Sequence, residues 1–140
     1  MDHCLLLDTH VWVWLVNGDE RLSRHNFQII DEAIRNSKAR VSIISIWEIA
    51  TLVRKGRINL PYNCQEWVKR ALEESGVILS ELTPTIAIES ALLSNEIIKD
   101  PADRIIMITA RNLGAKVVTA DKPMLTYCKE INLPVMAVYK

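Results

Sequence analysis

Residues 100–121 read DPADRIIMITARNLGAKVVTAD, and this stretch contains the signals of one helix followed by one buried strand. The side chain of Asp100 can accept a hydrogen bond from an unpaired N–H of the first turn, and proline is favoured at the first helical position. Gly114 is the residue type that ends a helix in the left-handed conformation, and the apolar run after it predicts a short strand over residues 116–119. The stretch therefore predicts a helix that begins at an acid and a strand whose carboxyl end leads to Asp121.

The same alternation of helical patterns and short apolar runs extends through the rest of the chain. Strands are predicted over residues 4–7, 41–44, 77–82, 116–119 and 135–138. Helices are predicted over residues 9–16, 25–37, 46–55, 65–75, about 83–98, from 101 to the stop at 114, and shortly after 123. This order predicts an α/β fold with a mostly parallel sheet of about five short strands and helices on both faces. The β-branched residues in 9–16 also allow a longer first strand. The length suits a single domain over residues 1–140.

The composition restricts the classes of function. Seventeen basic residues balance seventeen acidic residues, so any nucleic-acid binding must rest on local patches of charge. The three cysteines have no C-x-x-C spacing, which predicts neither a disulfide framework nor a zinc site and favours a reducing cytoplasm. The longest apolar run, residues 11–16, is far shorter than the roughly 20 residues that cross a bilayer, so no membrane segment is expected.

Four carboxylates are predicted to meet at one edge of the sheet. Asp8 and Asp121 follow predicted strands, while Glu48 and Asp103 fall in the first turns of predicted helices that begin near the same edge. Like charges at one edge repel each other unless a cation compensates them. Carboxylate oxygens without paired cysteine or histidine ligands indicate Mg²⁺ or Mn²⁺ in preference to zinc. Thr119 projects from the same side of its strand as Asp121 and could orient a ligand.

Each acid also has a purely structural interpretation. Asp100 is expected to be mainly a helix cap, and Glu48 could complete a capping box with Ser45. Asp103 could simply complement a helix dipole, and the two strand-end acids could be turn residues. The four tryptophans could stack on bases, although packing in the core or at an interface is the favoured interpretation. The joint placement of four acids at one edge nevertheless favours a site.

The segments around these acids also match a known family. They are LLDT at residues 6–9, SIWEIA at 45–50, DPADR at 100–104 and VTAD at 118–121. In order and spacing they resemble the acidic motifs of PIN-domain ribonucleases, and the resemblance covers essentially the whole chain. The DPADR block and the pattern at residues 54–58 resemble in particular the VapC-like toxins of bacterial toxin–antitoxin pairs.

This resemblance implies a PIN-like three-layer sandwich and a cytoplasmic endoribonuclease in which one or two Mg²⁺ or Mn²⁺ ions activate a water for in-line attack on an RNA phosphodiester. The catalytic metal ligands would be Asp8, Glu48, Asp103 and Asp121. The supporting residues would be Thr9, Thr119 and Asp100. Because an acidic site repels RNA, cations close to it in sequence should steer the strand, and the candidates are Arg54, Lys55, Arg57, Arg104 and Lys122, for which a solvated helix face is the alternative. The resemblance also implies a small antitoxin as partner and a homodimer or larger assembly.

Two other functions remain as alternatives. A receiver-like signalling module also gathers acids and magnesium at strand ends, but it needs an aspartate after a central strand and a lysine after a late one. The predicted strands at 41–44 and 77–82 end without aspartate, and the order Asp121-Lys122 is reversed. A non-catalytic RNA-binding protein on the same scaffold is the second alternative, and the presence of all four acids argues against it.

Overall fold

The central sheet consists of short parallel strands. In a computed structural model that describes residues 4–94 and 98–138, the strands are β1 (Leu5–Leu7), β2 (Ala39–Ser42), β3 (Ile78–Ser80), β4 (Lys116–Thr119) and β5 (Val135–Ala137). Their order across the sheet is β3-β2-β1-β4-β5, and every neighbouring pair is parallel. The predicted parallel sheet is therefore confirmed.

Helices cover both faces of this sheet. They are α1 (Thr9–Asn17), α2 (Arg24–Arg35), α3 (Ile43–Arg54), α4 (Cys64–Ser75), α5 (Pro84–Leu92), α6 (Pro101–Leu113) and α7 (Lys122–Glu130). Successive side chains of a strand point to opposite faces. Leu5 and Leu7 accordingly pack against α1 to α4, while Leu6 packs against α6 and α7. The fold is the expected three-layer sandwich. In the part of the chain described, no helix is both long enough and apolar enough to cross a membrane.

Residues 9–17 form a helix and do not extend β1. The Asp8 side chain accepts a hydrogen bond from the Thr9 N–H, and Gly18 ends the helix with φ of 64°. Trp12 is fully buried and packs edge-to-face on Trp67, with ring centroids 5.4 Å apart. This apolar helix therefore forms part of the core.

The start of α3 corrects the prediction for Glu48. The helix begins at Ile43, because Ser42 caps it by accepting a hydrogen bond of 3.1 Å from the Ile44 N–H. The prediction that Ser45 is the cap is wrong, since a run of β-branched apolar residues fits the end of a strand as well as a buried helix. Glu48 consequently lies in the second turn of α3. It therefore cannot complete a capping box, and it does not have the first-turn position that was predicted to complement the helix dipole.

The bounds of α5 and α7 also differ from the prediction. Helix α5 ends at Leu92, short of the predicted 98, and residues 95–97 of that prediction lie outside the described residues. Helix α7 begins at Lys122, ahead of the prediction, because the Asp121 side chain accepts a hydrogen bond of 3.0 Å from the Met124 N–H. Asp121 is thus both a strand-end residue and a helix cap.

The order of the strands fixes the position of the acidic edge. From β1 the chain adds β2 and β3 on one side, and then returns to place β4 on the other side of β1. A crevice opens at such a switch point, outside the carboxyl ends of the strands. Asp8 follows β1 and Asp121 follows β4, and the Asp8 N–H donates a hydrogen bond of 2.9 Å to the Val118 carbonyl.

Candidate metal centre

Three carboxylates converge at this crevice. Asp8, Glu48 and Asp103 each offer one oxygen, and these oxygens all lie within 4.8 Å of one another. Asp8 follows β1, Glu48 comes from the second turn of α3, and Asp103 comes from the first turn of α6. Residues that are far apart in sequence thus form one cluster of hard oxygen donors.

Two threonines orient the Asp8 carboxylate. The Thr9 N–H donates to Asp8 Oδ1 at 2.7 Å, and Thr119 Oγ1 donates to Asp8 Oδ2 at 2.7 Å. Thr119 is fully buried, and its oxygen also accepts the Asp121 N–H at 3.0 Å. Each carboxylate oxygen of Asp8 can accept more than one bond, so both keep capacity for a cation.

A second hydroxyl network reaches Glu48. Thr9 Oγ1 lies 2.8 Å from Ser45 Oγ and forms a short hydrogen bond with Glu48 Oε1. Ser45 and Thr9 are both fully buried. Ser45 is a site residue that the sequence interpretation missed, since it was assigned to the helix cap. Its spacing of three residues from Glu48 was the available signal, because residues at that spacing share a helix face.

The carboxylates of this cluster hold their protons unusually tightly. Burial is the main cause that raises the pKa of Asp103 to about 8, and the charges of the neighbouring acids add to it. Burial also raises the pKa of Glu48 to about 7, against the hydrogen bond from Thr9. The pKa of Asp8 is raised by burial, although its bonds from Thr119 and Thr9 and the nearby His10 oppose the shift. A divalent cation would reverse these shifts by favouring the ionised forms.

Asp100 and Asp121 lie beside the three-carboxylate cluster. Asp100 caps α6 by accepting the Ala102 N–H at 2.9 Å, which confirms its predicted role as a cap. Its charge nevertheless raises the pKa of both Glu48 and Asp103. Asp121 is exposed and caps α7, and its charge raises the pKa of Asp8 and Asp103. Both residues are close enough to influence the site electrostatically.

The predicted RNA-binding cations do not form one group. Arg54 is the last residue of α3, at the end that points away from the acidic edge, and Lys55 and Arg57 follow it. Arg54 is six residues beyond Glu48, roughly 9 Å along the helix axis. Lys122 is exposed at the start of α7, at the acidic edge itself. The exposed Lys99, which the sequence interpretation did not include, lies next to the start of α6.

Arg104 has a structural role within the protein, and its predicted RNA contact stays a prediction. Its guanidinium donates to the carbonyl oxygens of Ser90 and Ile98, each at 3.0 Å, and forms a short bond with that of Leu93. These bonds join the end of α5 to the segment that leads into α6. Arg104 therefore fixes the helix that carries Asp103.

We expect Arg104→Lys to lower the free energy of unfolding by about 1–3 kcal/mol, because a lysine ammonium cannot reproduce the fork that satisfies several carbonyls. Urea denaturation would measure the change. Arg111→Lys on the same helix is the matched control. The exposed Arg111 guanidinium forms only a weak ion pair, with 4.0 Å between it and a Glu89 oxygen. Equal stability of the two variants, with RNA cleavage impaired only in Arg104→Lys, would favour the original RNA contact.

Comparison with known proteins identifies the family to which this chain is similar. The PIN domain family model matches residues 5–129. Ribonuclease VapC22 of Mycobacterium tuberculosis is 32% identical over 123 residues, which are 88% of this chain and 91% of that protein.

Three solved structures have a similar fold. VapBC2 from Rickettsia felis, bound to a DNA fragment from its promoter, has a TM-score of 0.66 at 18% identity, covering 95% of this chain and 97% of that one. FitAB bound to an IR36 DNA fragment gives 0.55 at 18% identity, with 95% and 94% covered. FitAcB from Neisseria gonorrhoeae gives 0.51 at 20% identity, with 94% and 96% covered.

Proposed function

The chain belongs to the PIN-domain family, and from this premise we propose that it is a metal-dependent endoribonuclease, the toxin of a toxin–antitoxin pair. The observation that carries the proposal is the cluster of three carboxylates at the switch point of the sheet. All three lie within the residues that match the family. The similarity to a ribonuclease over most of both chains supports RNA as the substrate.

The donor set fits Mg²⁺ or Mn²⁺. These ions prefer oxygen ligands at about 2.1 Å, so two ligands of one ion lie up to about 4.2 Å apart. Three oxygens within 4.8 Å of one another can converge on one ion through small rotations of their side chains. We propose Asp8, Glu48 and Asp103 as the ligands and Asp121 as a fourth acid beside them. A bound divalent cation would polarise the phosphodiester and lower the pKa of a water molecule bound to it.

The protein's own residues prepare this site in two ways. Thr9 and Thr119 hold the Asp8 carboxylate in one orientation before any cation arrives. The acidic edge repels a polyanion, so cations at the rim must attract the RNA backbone. We propose the exposed Lys122 and Lys99, at the starts of α7 and α6, for this role.

We also propose a small antitoxin as partner and assembly of the toxin into a homodimer or larger complex. The similarity in fold to VapBC2 and FitAB motivates the search for a partner encoded beside this chain. We propose that the apolar surface for assembly is offered by Trp47 on α3, with 61% of its surface exposed, and by Ile88 and Leu92 on α5, with 59% and 77%.

A receiver-like function is a poor fit to this site. The central strand β1 does lead to an aspartate, but Asp8 is buried and both of its carboxylate oxygens already accept hydrogen bonds, so it is poorly placed to take a phosphoryl group. Strands β2 and β3 end in Ser42 and Ser80 and supply no aspartate. A non-catalytic RNA-binding protein therefore remains the competing function for the experiment.

The test is to map RNA 5′ ends after a brief pulse of expression. We expect new ends with the wild type and with Glu73→Gln, an exposed acid of α4, but none with Glu48→Gln. Co-expression of the product of an adjacent small reading frame should suppress the new ends. The same ends in wild type and Glu48→Gln would contradict the proposal. Tight RNA binding by the purified protein without cleavage at any Mg²⁺ or Mn²⁺ concentration would favour the non-catalytic alternative.

A further inference from the structure

We propose that Ser45 is a positioning residue that orients the Glu48 carboxylate toward the cation through the hydroxyl of Thr9. The inference rests on the proposed metal site but concerns a residue outside the carboxylate cluster. The Ser45 hydroxyl contacts the Thr9 hydroxyl at 2.8 Å, and its side chain is fully buried.

The three side chains form a bridge between two helices. Ser45 and Glu48 lie on one face of α3, three residues apart, while Thr9 is the first residue of α1. Thr9 Oγ1 contacts both Ser45 Oγ and Glu48 Oε1. The Thr9 N–H simultaneously donates to Asp8 Oδ1 at 2.7 Å. Thr9 thus contacts two of the three carboxylates, and the hydrogen bond with Ser45 fixes the position of the Thr9 hydroxyl.

The number of hydrogens fixes the direction of this network. Each hydroxyl carries one hydrogen, and an ionised carboxylate can only accept. When a bound cation keeps Glu48 ionised, Thr9 must therefore donate to Glu48, so that the hydrogen between Thr9 and Ser45 comes from Ser45. Donation from Ser45 makes the Thr9 hydroxyl a stronger donor to Glu48, because linked hydrogen bonds polarise one another. Without Ser45, the buried Thr9 oxygen loses its donor and Glu48 loses a fixed orientation.

Ser42 provides a structural control at the same junction of strand and helix. It is as buried as Ser45, with 1% of its surface exposed, but its oxygen caps α3 and forms no hydrogen bond with Thr9 or Glu48 among the described residues. Ser42→Ala should lower stability through loss of the cap. Ser45→Ala removes one oxygen atom at a helical position where alanine is well tolerated, so the variant should fold.

The test measures Mn²⁺ affinity of the purified full-length protein by calorimetry, with urea denaturation alongside. Loss of a residue that orients a metal ligand typically weakens binding 10- to 100-fold, so we expect Ser45→Ala to raise the Mn²⁺ Kd by at least about 5-fold. Ser42→Ala should leave that Kd within about twofold while lowering stability. In a Thr9→Val background, Ser45→Ala should have no further effect on the Kd, because Ser45 acts only through Thr9.

The outcomes separate this inference from the function on which it rests. An unchanged Kd in Ser45→Ala, or equal effects of the Ser42 and Ser45 substitutions on it, would overturn the positioning role. Additive effects of Thr9→Val and Ser45→Ala would also overturn it. If the wild type binds Mn²⁺ in a way that depends on Ser45 but cuts no RNA, the inference is supported and the proposed nuclease function is contradicted. A wild type that binds no Mn²⁺ overturns both.

Discussion

Asp103→Asn should abolish metal-dependent RNA cleavage and, at the same time, stabilise the metal-free protein. Both effects come from the position of Asp103, whose pKa is raised to about 8 by burial and by the neighbouring acids. Its carboxylate has no hydrogen-bond donor among the residues that the structure describes. An amide at this position removes a charge that opposes folding, but it also removes a cation ligand.

We expect cleavage to fall by at least about 100-fold, as for loss of one main electrostatic group in an active site. The free energy of unfolding in EDTA at pH 8 should rise by at least about 1 kcal/mol. Cleavage of a labelled RNA in Mn²⁺ and urea denaturation in EDTA would measure the two changes. A fully active Asp103→Asn protein would remove the basis for the proposed site.

Asp8→Asn is the informative contrast. The Asp8 carboxylate accepts hydrogen bonds on both oxygens, from the Thr9 N–H and the Thr119 hydroxyl. An amide has one acceptor oxygen, so one of these buried donors loses its partner. We therefore expect Asp8→Asn to lose cleavage without the gain in stability, and Asp103→Asn is the cleaner variant for separating catalysis from folding.

The metal-free protein should become less stable as the pH rises from about 5 to about 8. The folded-state pKa of Glu48 is raised from 4.5 to about 7 by burial, and that of Asp103 is raised from 3.8 to about 8. Between the unfolded and folded values the native state binds more protons than the unfolded state. The free energy of unfolding therefore falls with rising pH in this window and levels off above it.

In EDTA we expect the free energy of unfolding to be at least about 2 kcal/mol lower at pH 8.5 than at pH 6. Saturating Mn²⁺ should reduce or reverse this difference, because the cation binds the ionised carboxylates of the native state. Urea denaturation at a series of pH values, with and without Mn²⁺, measures both effects. The Glu48→Gln/Asp103→Asn double variant is the control and should show a much smaller slope. An unchanged slope in this control would show that other groups titrate.

The sequence predicted those features that local signals determine. Residues 116–119 form β4 as predicted, and Gly114 ends α6 with φ of 65°. The alternation of strands and helices also sufficed to place Asp8 and Asp103 near one edge, because carboxyl ends of parallel strands and the helices that follow them share that edge.

The features that the sequence could not predict depend on contacts between distant elements. The Arg104 guanidinium binds the carbonyls at the end of α5, and nothing in the DPADR motif specifies where that helix ends. Ser45 was predicted to cap α3, but Ser42 is the cap, because β2 ends at Ser42 in its pairing with β3 and the helix begins at the next residue. The role of Ser45 depends in turn on α1, which supplies Thr9.

The hydrogen bond from Thr119 to Asp8 links the last part of the site to the first across 111 positions of sequence. A ribosome makes Asp8 and Glu48 early, but Asp103 and the hydroxyl that orients Asp8 arrive only with α6 and β4. Strand β4 also pairs with β1 in the interior of the sheet. Fragments left by interrupted translation or by proteolysis before β4 therefore lack the complete acidic site. The complete acidic site can therefore form only near the end of each round of synthesis.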